Sequence, residues 1–258
     1  MLKEIIISIQ AYFHAHQFIK KHKLWKWIIV SGVVYTALFI ISMIFFSKTA
    51  TSFIEWLTLK AGLKNWLDKM QSSFLGFLFA LGGMIFWMIQ MLLYFSLFKY
   101  LFLIIGSPFF SLLSEKTANI LEGKSTKFNF TTFINDILRG ISIAIRNAGW
   151  QTVYVLAILF LGFIPILGLA TPLIAVFIEC YYYGFSMLDY NMEREQKNAS
   201  ESIFFISHHK GLAIGNGMVF YLLHIIPFLG WIIAPSYSVI AATISLHEIK
   251  KNSINLQR

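Results

Sequence analysis

Lys23 and Lys26 stand in the stretch KHKLWKW, at the head of the first long apolar run of the chain. Ammonium groups held at a membrane interface neutralise part of the charge of a small oxyanion. The competing use is plain: lysines snorkel toward water while Trp25 and Trp27 sit in an aromatic belt. Arg139, Arg146 and Lys210 are further cations beside apolar runs and form a second set of anion-binding candidates. Glu179 lies inside an apolar run, where an ionisable group is costly. It either pairs with a base, carries a proton, or reaches water.

A second source of anion binding is backbone. Residues 162–172 read GFIPILGLATP and residues 224–235 read HIIPFLGWIIAP. Each places Ile-Pro-x-Leu-Gly and then a second proline inside an apolar stretch. Proline removes a helical hydrogen bond and clashes with the preceding turn, at a cost of about 3 kcal/mol. Two such breaks predict a turn, so each stretch reads as a helical hairpin with its tip at Pro165, Gly168 and Pro172, or at Pro227, Gly230 and Pro235. Broken helices expose N–H groups within the membrane, and these favour anions. The glycines of GLAIGNG at 211–217 allow close approach, for a ligand or for helix packing.

Other chemistries are poorly served. EGKS at 122–125 lacks the first glycine and the preceding strand of a phosphate-binding loop. His208 and His209 are adjacent and cannot share one helix face. One cysteine, Cys180, gives neither a disulfide framework nor a multi-cysteine metal site. No nucleophile–base constellation stands out, so the expectation is a protein that is not an enzyme, with no cofactor and no metal. The net charge of +9 lies beside apolar runs without a nucleic-acid motif.

These residues need elements to hold them. The chain has 258 residues, 57% hydrophobic and 13% charged, with 26 Phe and 7 Trp. That composition predicts an all-α integral membrane protein in a single membrane domain. The opening, with an early acid and no small-residue cleavage site, predicts an interfacial amphipathic helix over residues 1–26 and no cleaved signal. Residues 27–46 are uncharged and make a first span, and 47–73 read as a mixed loop. Residues 70–98 make a long second span, continuing helical to about residue 122 past Pro108, with Gly123 as the stop. TTFINDILRGISIAIRNAGW then reads as an amphipathic helix.

The hairpins cover 147–190 and 211–247, joined by the polar connector DYNMEREQKNASESIFFISHHK. The arm from Trp150 to Ile164 reaches about 22 Å at 1.5 Å per residue, short of a hydrocarbon core of about 30 Å. Half-crossing hairpins, paired as an internal repeat, are therefore expected, the alternative being two ordinary spanning hairpins that give six crossings in all. The loops beside the N-terminus carry most of the 21 Lys and Arg, which places the N-terminus in the cytoplasm.

Several of these segments resemble the CysZ-type sulfate permeases of the etoposide-induced transmembrane protein superfamily. SPFFSLLSEKTANILEG resembles the family's Pro-Phe-x-x-x-Leu-x-Glu segment. NDILRGISIAIRNAGWQTVYVLAILFLGFIPILGLATP is similar to its amphipathic helix and first hairpin, LDY at 188–190 to the Asp-Tyr that follows, and IIPFLGWIIAPSYSVIAAT to its second hairpin. The resemblance runs over roughly residues 5–249. It implies a bacterial inner-membrane homo-oligomer with two long spans and two pairs of half-crossing helices, importing sulfate for cysteine synthesis. The family's arginines before the first span are replaced here by Lys23, Trp25 and Lys26, which keeps charge and loses the bidentate fork. The alternative is a structural or regulatory membrane protein of the same fold without transport.

Overall fold

The computed structural model describes residues 1–60, 74–123, 130–162, 164, 170–226 and 228–255. The described residues are helical apart from caps and short turns. In chain order the helices are α1 (Leu2–His22), α2 (Trp25–Lys60), α3 (Phe74–Glu122), α4 (Phe130–Gly162), α5 (Thr171–Arg194), α6 (Ala199–His208), α7 (Lys210–His224) and α8 (Leu229–Asn255). Among the described residues, five stretches are long and apolar enough to cross a membrane: Trp25–Thr49, Phe98–Glu122, Leu138–Gly162, Thr171–Met192 and Leu229–Lys251. The all-α membrane architecture is thus present.

Some boundaries differ from the sequence reading. The loop expected over 47–73 is helical as far as Lys60, with 61–73 outside the described residues. Residues 47–60 contain neither Gly nor Pro, so nothing stops a helix already nucleated upstream. The polar connector is not a loop either. It contains the end of α5 and all of α6, whose Asn198 side chain accepts from the Glu201 amide while Glu201 accepts from the Asn198 amide. That reciprocal cap satisfies two orphan donors and starts a helix from a sequence that reads as polar. At the far end of α3, Gly123 adopts a φ of 65°, open to glycine at no steric cost.

The chain divides into two compact units, Met1–Thr36 with Tyr100–Arg258, and Ala37–Lys99. The smaller unit pairs the second half of α2 with the first half of α3 through Phe39 against Phe98 and Phe46 stacked on Tyr94. The larger unit is built around α5 and α7. Tyr183 stacks on Phe220 at 3.6 Å. A Cβ on Gly184 would collide with the Ala213 carbonyl, and one on Gly217 with the Cys180 carbonyl. These two glycines let the α5 and α7 backbones touch, so packing explains Gly217.

On its other side α7 carries α1. The two run in parallel: the Ser8 hydroxyl donates to the Leu212 carbonyl and the Tyr12 hydroxyl to the Asn216 carbonyl, at 3.0 and 2.9 Å. Burial pushes the Tyr12 hydroxyl well above its ordinary pKa, so it remains a donor. Gly211 and Gly215 face α1, where added Cβ atoms would meet Glu4 and Ser8. The apolar residues Ile7, Ala11, Ala15 and Ile19 are buried, so the amphipathic face of α1 lies against protein.

Of the expected tip residues, Pro165, Gly168 and Pro227 lie outside the described residues. Pro172 is the second residue of α5, where its missing N–H costs nothing. Gly230 is the second residue of α8 and Pro235 the seventh, inside the helix. Pro235 therefore does not bound the second tip as it was expected to. Its ring removes one donor, and the chain continues helically on either side. The two hairpins also differ in their arms. α4 and α5 have 33 and 24 residues, whereas α7 has 15 and reaches about 22 Å.

Candidate functional site

The junction of α1 and α2 is built by a left-handed residue. Lys23 takes φ 54° and ψ 42°, its amide bonding back to Ile19. This ends α1 and starts α2 at Trp25. The Trp25 and Lys26 amides thus belong to the first helical turn, whose N–H groups have no acceptor within the helix. The positive end of the helix dipole lies at the same place. Lys23 and Lys26 are both exposed there, as is Trp25.

A third cation joins them from α3. Lys116 sits over the Trp27 ring, 5.1 Å from its centre, and Phe109 packs on the same ring at 5.2 Å. Among the described residues, Lys23, Lys26 and Lys116 are paired with no carboxylate. The sequence reading missed Lys116 because 89 positions separate it from Trp27. The available signal was the helical spacing of Phe109 and Lys116.

The other expected cations are placed differently. Arg139 on α4 is committed to Asp189 on α5, with Nη2 2.9 Å from Oδ1 and Nη1 3.4 Å from Oδ2. Asp189 is 3% exposed and also accepts from the Ser202 hydroxyl on α6. The Arg139 charge is therefore neutralised within the fold. Arg146 is exposed and donates to the Asn147 side chain at 3.0 Å. Lys210 is exposed at the start of α7. Its neighbour Gly211 meets Met1 and Glu4, so it sits by the opening of α1. Lys23 lies 21 residues along that helix, about 30 Å away. The structure thus sets Lys116 over the Trp27 ring, next along the chain from Lys26, commits Arg139 to Asp189, and places Lys210 by the opening of α1.

Glu179 lies on α5, within a stretch long enough to span a membrane. It accepts a hydrogen bond from the Gln151 amide on α4 and another from the Tyr221 hydroxyl on α7, the latter at 2.9 Å. The Tyr100 hydroxyl on α3 donates to the Gln151 carbonyl oxygen, which turns the Gln151 N–H₂ toward Glu179. Beside this carboxylate is a largely apolar, partly open pocket of about 410 Å³ between α5 and α7, lined by Val176, Cys180, Met218, Leu222 and Ile225 together with Glu179, Tyr221 and His224. The His224 Nε2 is 3.1 Å from the Tyr35 hydroxyl, while its Nδ1 is buried without a hydrogen-bond partner.

Comparison with known proteins gives a consistent picture. The model of the family described as "Sulfate transporter CysZ/Etoposide-induced protein 2.4" matches residues 11–235. A curated protein of Pseudomonas paraeruginosa named Sulfate transporter CysZ is 25% identical over 186 residues, covering 70% of this chain and 75% of that protein. A protein of the same name from Pseudomonas aeruginosa matches with the same identity and coverage.

Proposed function

Because the chain belongs to the sulfate transporter CysZ/etoposide-induced protein 2.4 family, we propose that it carries a small divalent oxyanion, sulfate, across a bacterial inner membrane. The observation that supports this most is the α1–α2 junction: three exposed lysines, none paired with a carboxylate among the described residues, beside two helix-opening amides at the mouth of the first span. A tetrahedral dianion needs both charge and donors, and this junction supplies both. Lysine offers a point charge without the arginine fork, so selectivity for geometry falls to the backbone amides. Arg146 sits apart from this group on α4 and is assigned to substrate approach, through its long-range field.

On this reading the N-terminus is cytoplasmic, the chain works as a homo-oligomer, and the imported sulfate feeds cysteine synthesis. The activity is transport without covalent catalysis. The second hairpin, whose arm α7 has 15 residues, enters the bilayer without fully crossing it. Moving a dianion against an inside-negative potential costs roughly 4.6 kcal/mol per 100 mV, twice the single-charge value.

Purified protein in sealed vesicles is expected to take up labelled sulfate, with chloride and phosphate competing poorly. Removing one charge-assisted contact costs about 1.5–3 kcal/mol, or roughly tenfold or more in affinity. The combined Lys23→Gln, Lys26→Gln and Lys116→Gln variant is therefore expected to lose at least tenfold in sulfate affinity. Unchanged uptake in that variant would move the site elsewhere. No uptake by folded wild-type protein would favour a scaffold of the same fold.

A further inference from the structure

The outer face of α1 has a pattern that its seat on α7 does not explain. The face turned to the protein carries Ile7, Ser8, Ala11, Tyr12, Ala15 and Ile19, all buried. A second apolar stripe runs along the opposite side, at Leu2, Ile6, Ile9 and Phe13. Steps of four, three and four residues keep these side chains on one line of a helix. Leu2 is 74% exposed, Phe13 70% and Ile6 47%. Lys20 continues the same line, and Lys3 and Lys21 stand beside it, all three exposed.

We infer that this stripe is a docking surface for anionic phospholipid. Its apolar side chains enter the boundary between headgroups and acyl chains, and its lysines meet the lipid phosphates. An apolar helix face alone would fit a protein as well as a bilayer, and charge decides between them. Glu4 is the one acid of α1. It is turned toward α7, against the His209 Nδ1 at 2.7 Å and the Gly211 amide at 3.2 Å. The outward face therefore carries cations and no acid, the complement of an anionic leaflet. Apolar contact and cationic contact are the two signals that together hold a helix on a membrane surface.

The place of the stripe in the chain gives the contact a consequence. α1 ends at the left-handed Lys23, and α2 starts at Trp25. Lipid on Lys20 and Lys21 therefore lies within about one helical turn of that junction and holds it at headgroup depth. From Leu2 to Lys21 the stripe is about 29 Å long at 1.5 Å per residue, so its two cationic ends meet different headgroups. A lipid phosphate is fixed to its leaflet and a free oxyanion is not, so occupancy follows the composition of the bilayer. Docking of this kind does not depend on transport.

The test uses the full chain in lipid vesicles without sulfate. In a Cys180→Ala background, Phe13→Cys carries a fluorophore. Phosphatidylglycerol or phosphatidylcholine, brominated on its acyl chains, is added at equal mole fraction. Brominated phosphatidylglycerol is expected to quench the label several-fold more strongly, with the difference shrinking at high salt. Each lysine near an anionic surface is worth roughly fivefold in affinity. The combined Lys3→Gln, Lys20→Gln and Lys21→Gln variant should therefore bring the two lipids to equal quenching, and arginine at the same three positions should keep the preference. A control label at Phe45→Cys, exposed on α2, should be quenched by both lipids alike. Equal quenching at position 13 with the lysines in place overturns the anionic preference. A preference that survives the glutamine variant overturns the role of these lysines. A label that neither lipid reaches overturns the docking itself, and self-quenching that rises with the labelled fraction would then put a second copy of the chain on the stripe.

Discussion

At the scale of single residues, what decides the role of a charge is whether the fold has already used it. Arg139 and Lys23 read alike in the sequence, each a cation beside an apolar run. Arg139 is spent on Asp189, 50 positions away, and no local pattern reveals such a distance. Breaking a buried ion pair by removing one member costs about 3–5 kcal/mol, because the survivor is left uncompensated. Asp189→Ala is therefore expected to lower the thermal midpoint of the purified protein far more than Lys23→Gln does. The double change Arg139→Leu with Asp189→Leu should recover most of the loss. If Asp189→Ala melts like the wild type, the pair contributes no stability. Glu179 was legible as an oddity from its apolar surroundings alone, and its donors, Gln151 and Tyr221, were not. Lys116 carried only its helical spacing from Phe109 as a signal, because the aromatic ring that brings it in lies on another helix.

Among the elements, glycine does the most to fix the architecture. GLAIGNG left open whether its glycines serve a ligand or a neighbouring helix, since one spacing suits both. The structure turns Gly211 and Gly215 toward α1 and Gly217 toward α5. Gly217→Leu is expected to force α5 and α7 apart at a cost above the usual 1–3 kcal/mol for overpacking, because the obstacle is a backbone carbonyl. Gly149 on α4 has open space around it, so Gly149→Ala should hold stability or add up to about 1 kcal/mol. Melting curves of the two variants separate packing glycines from tolerated ones; a harmless Gly217→Leu would contradict the close crossing. Helix ends were less legible than helices. The capping box at Asn198 and Glu201 is a four-residue signal hidden in a polar stretch, and Pro235 shows that a proline in an apolar run need not end a helix.

For the whole molecule, composition alone pointed to an all-α membrane protein, since no soluble core needs so much apolar surface. Arm length is subtler. α4 runs unbroken from Phe130, so its apolar part is longer than the 15 residues between Trp150 and Ile164, because nothing in the sequence marks where an amphipathic helix turns into a buried arm. The 15 residues of α7 remain too few to cross about 30 Å. In a Cys180→Ala background, Phe228→Cys places a thiol on an exposed position of the second tip. With a half-crossing hairpin, a membrane-impermeant maleimide should fail to label it from either side until detergent opens the bilayer. Labelling from the side opposite the N-terminus would make the hairpin a full crossing.

The partnership of α1 with α7 also carries a cost in time. Ser8 and Leu212 are 204 positions apart, as are Tyr12 and Asn216. A ribosome adding about 5–20 residues per second leaves the first helix waiting roughly 10–40 s for its seat to be made. Throughout that interval Ile7, Ala11, Ala15 and Ile19 face no protein surface, and an amphipathic helix in that condition lies on the nearest bilayer. The earliest element synthesised is thus among the last to dock, and the membrane surface acts as its holding place during biogenesis.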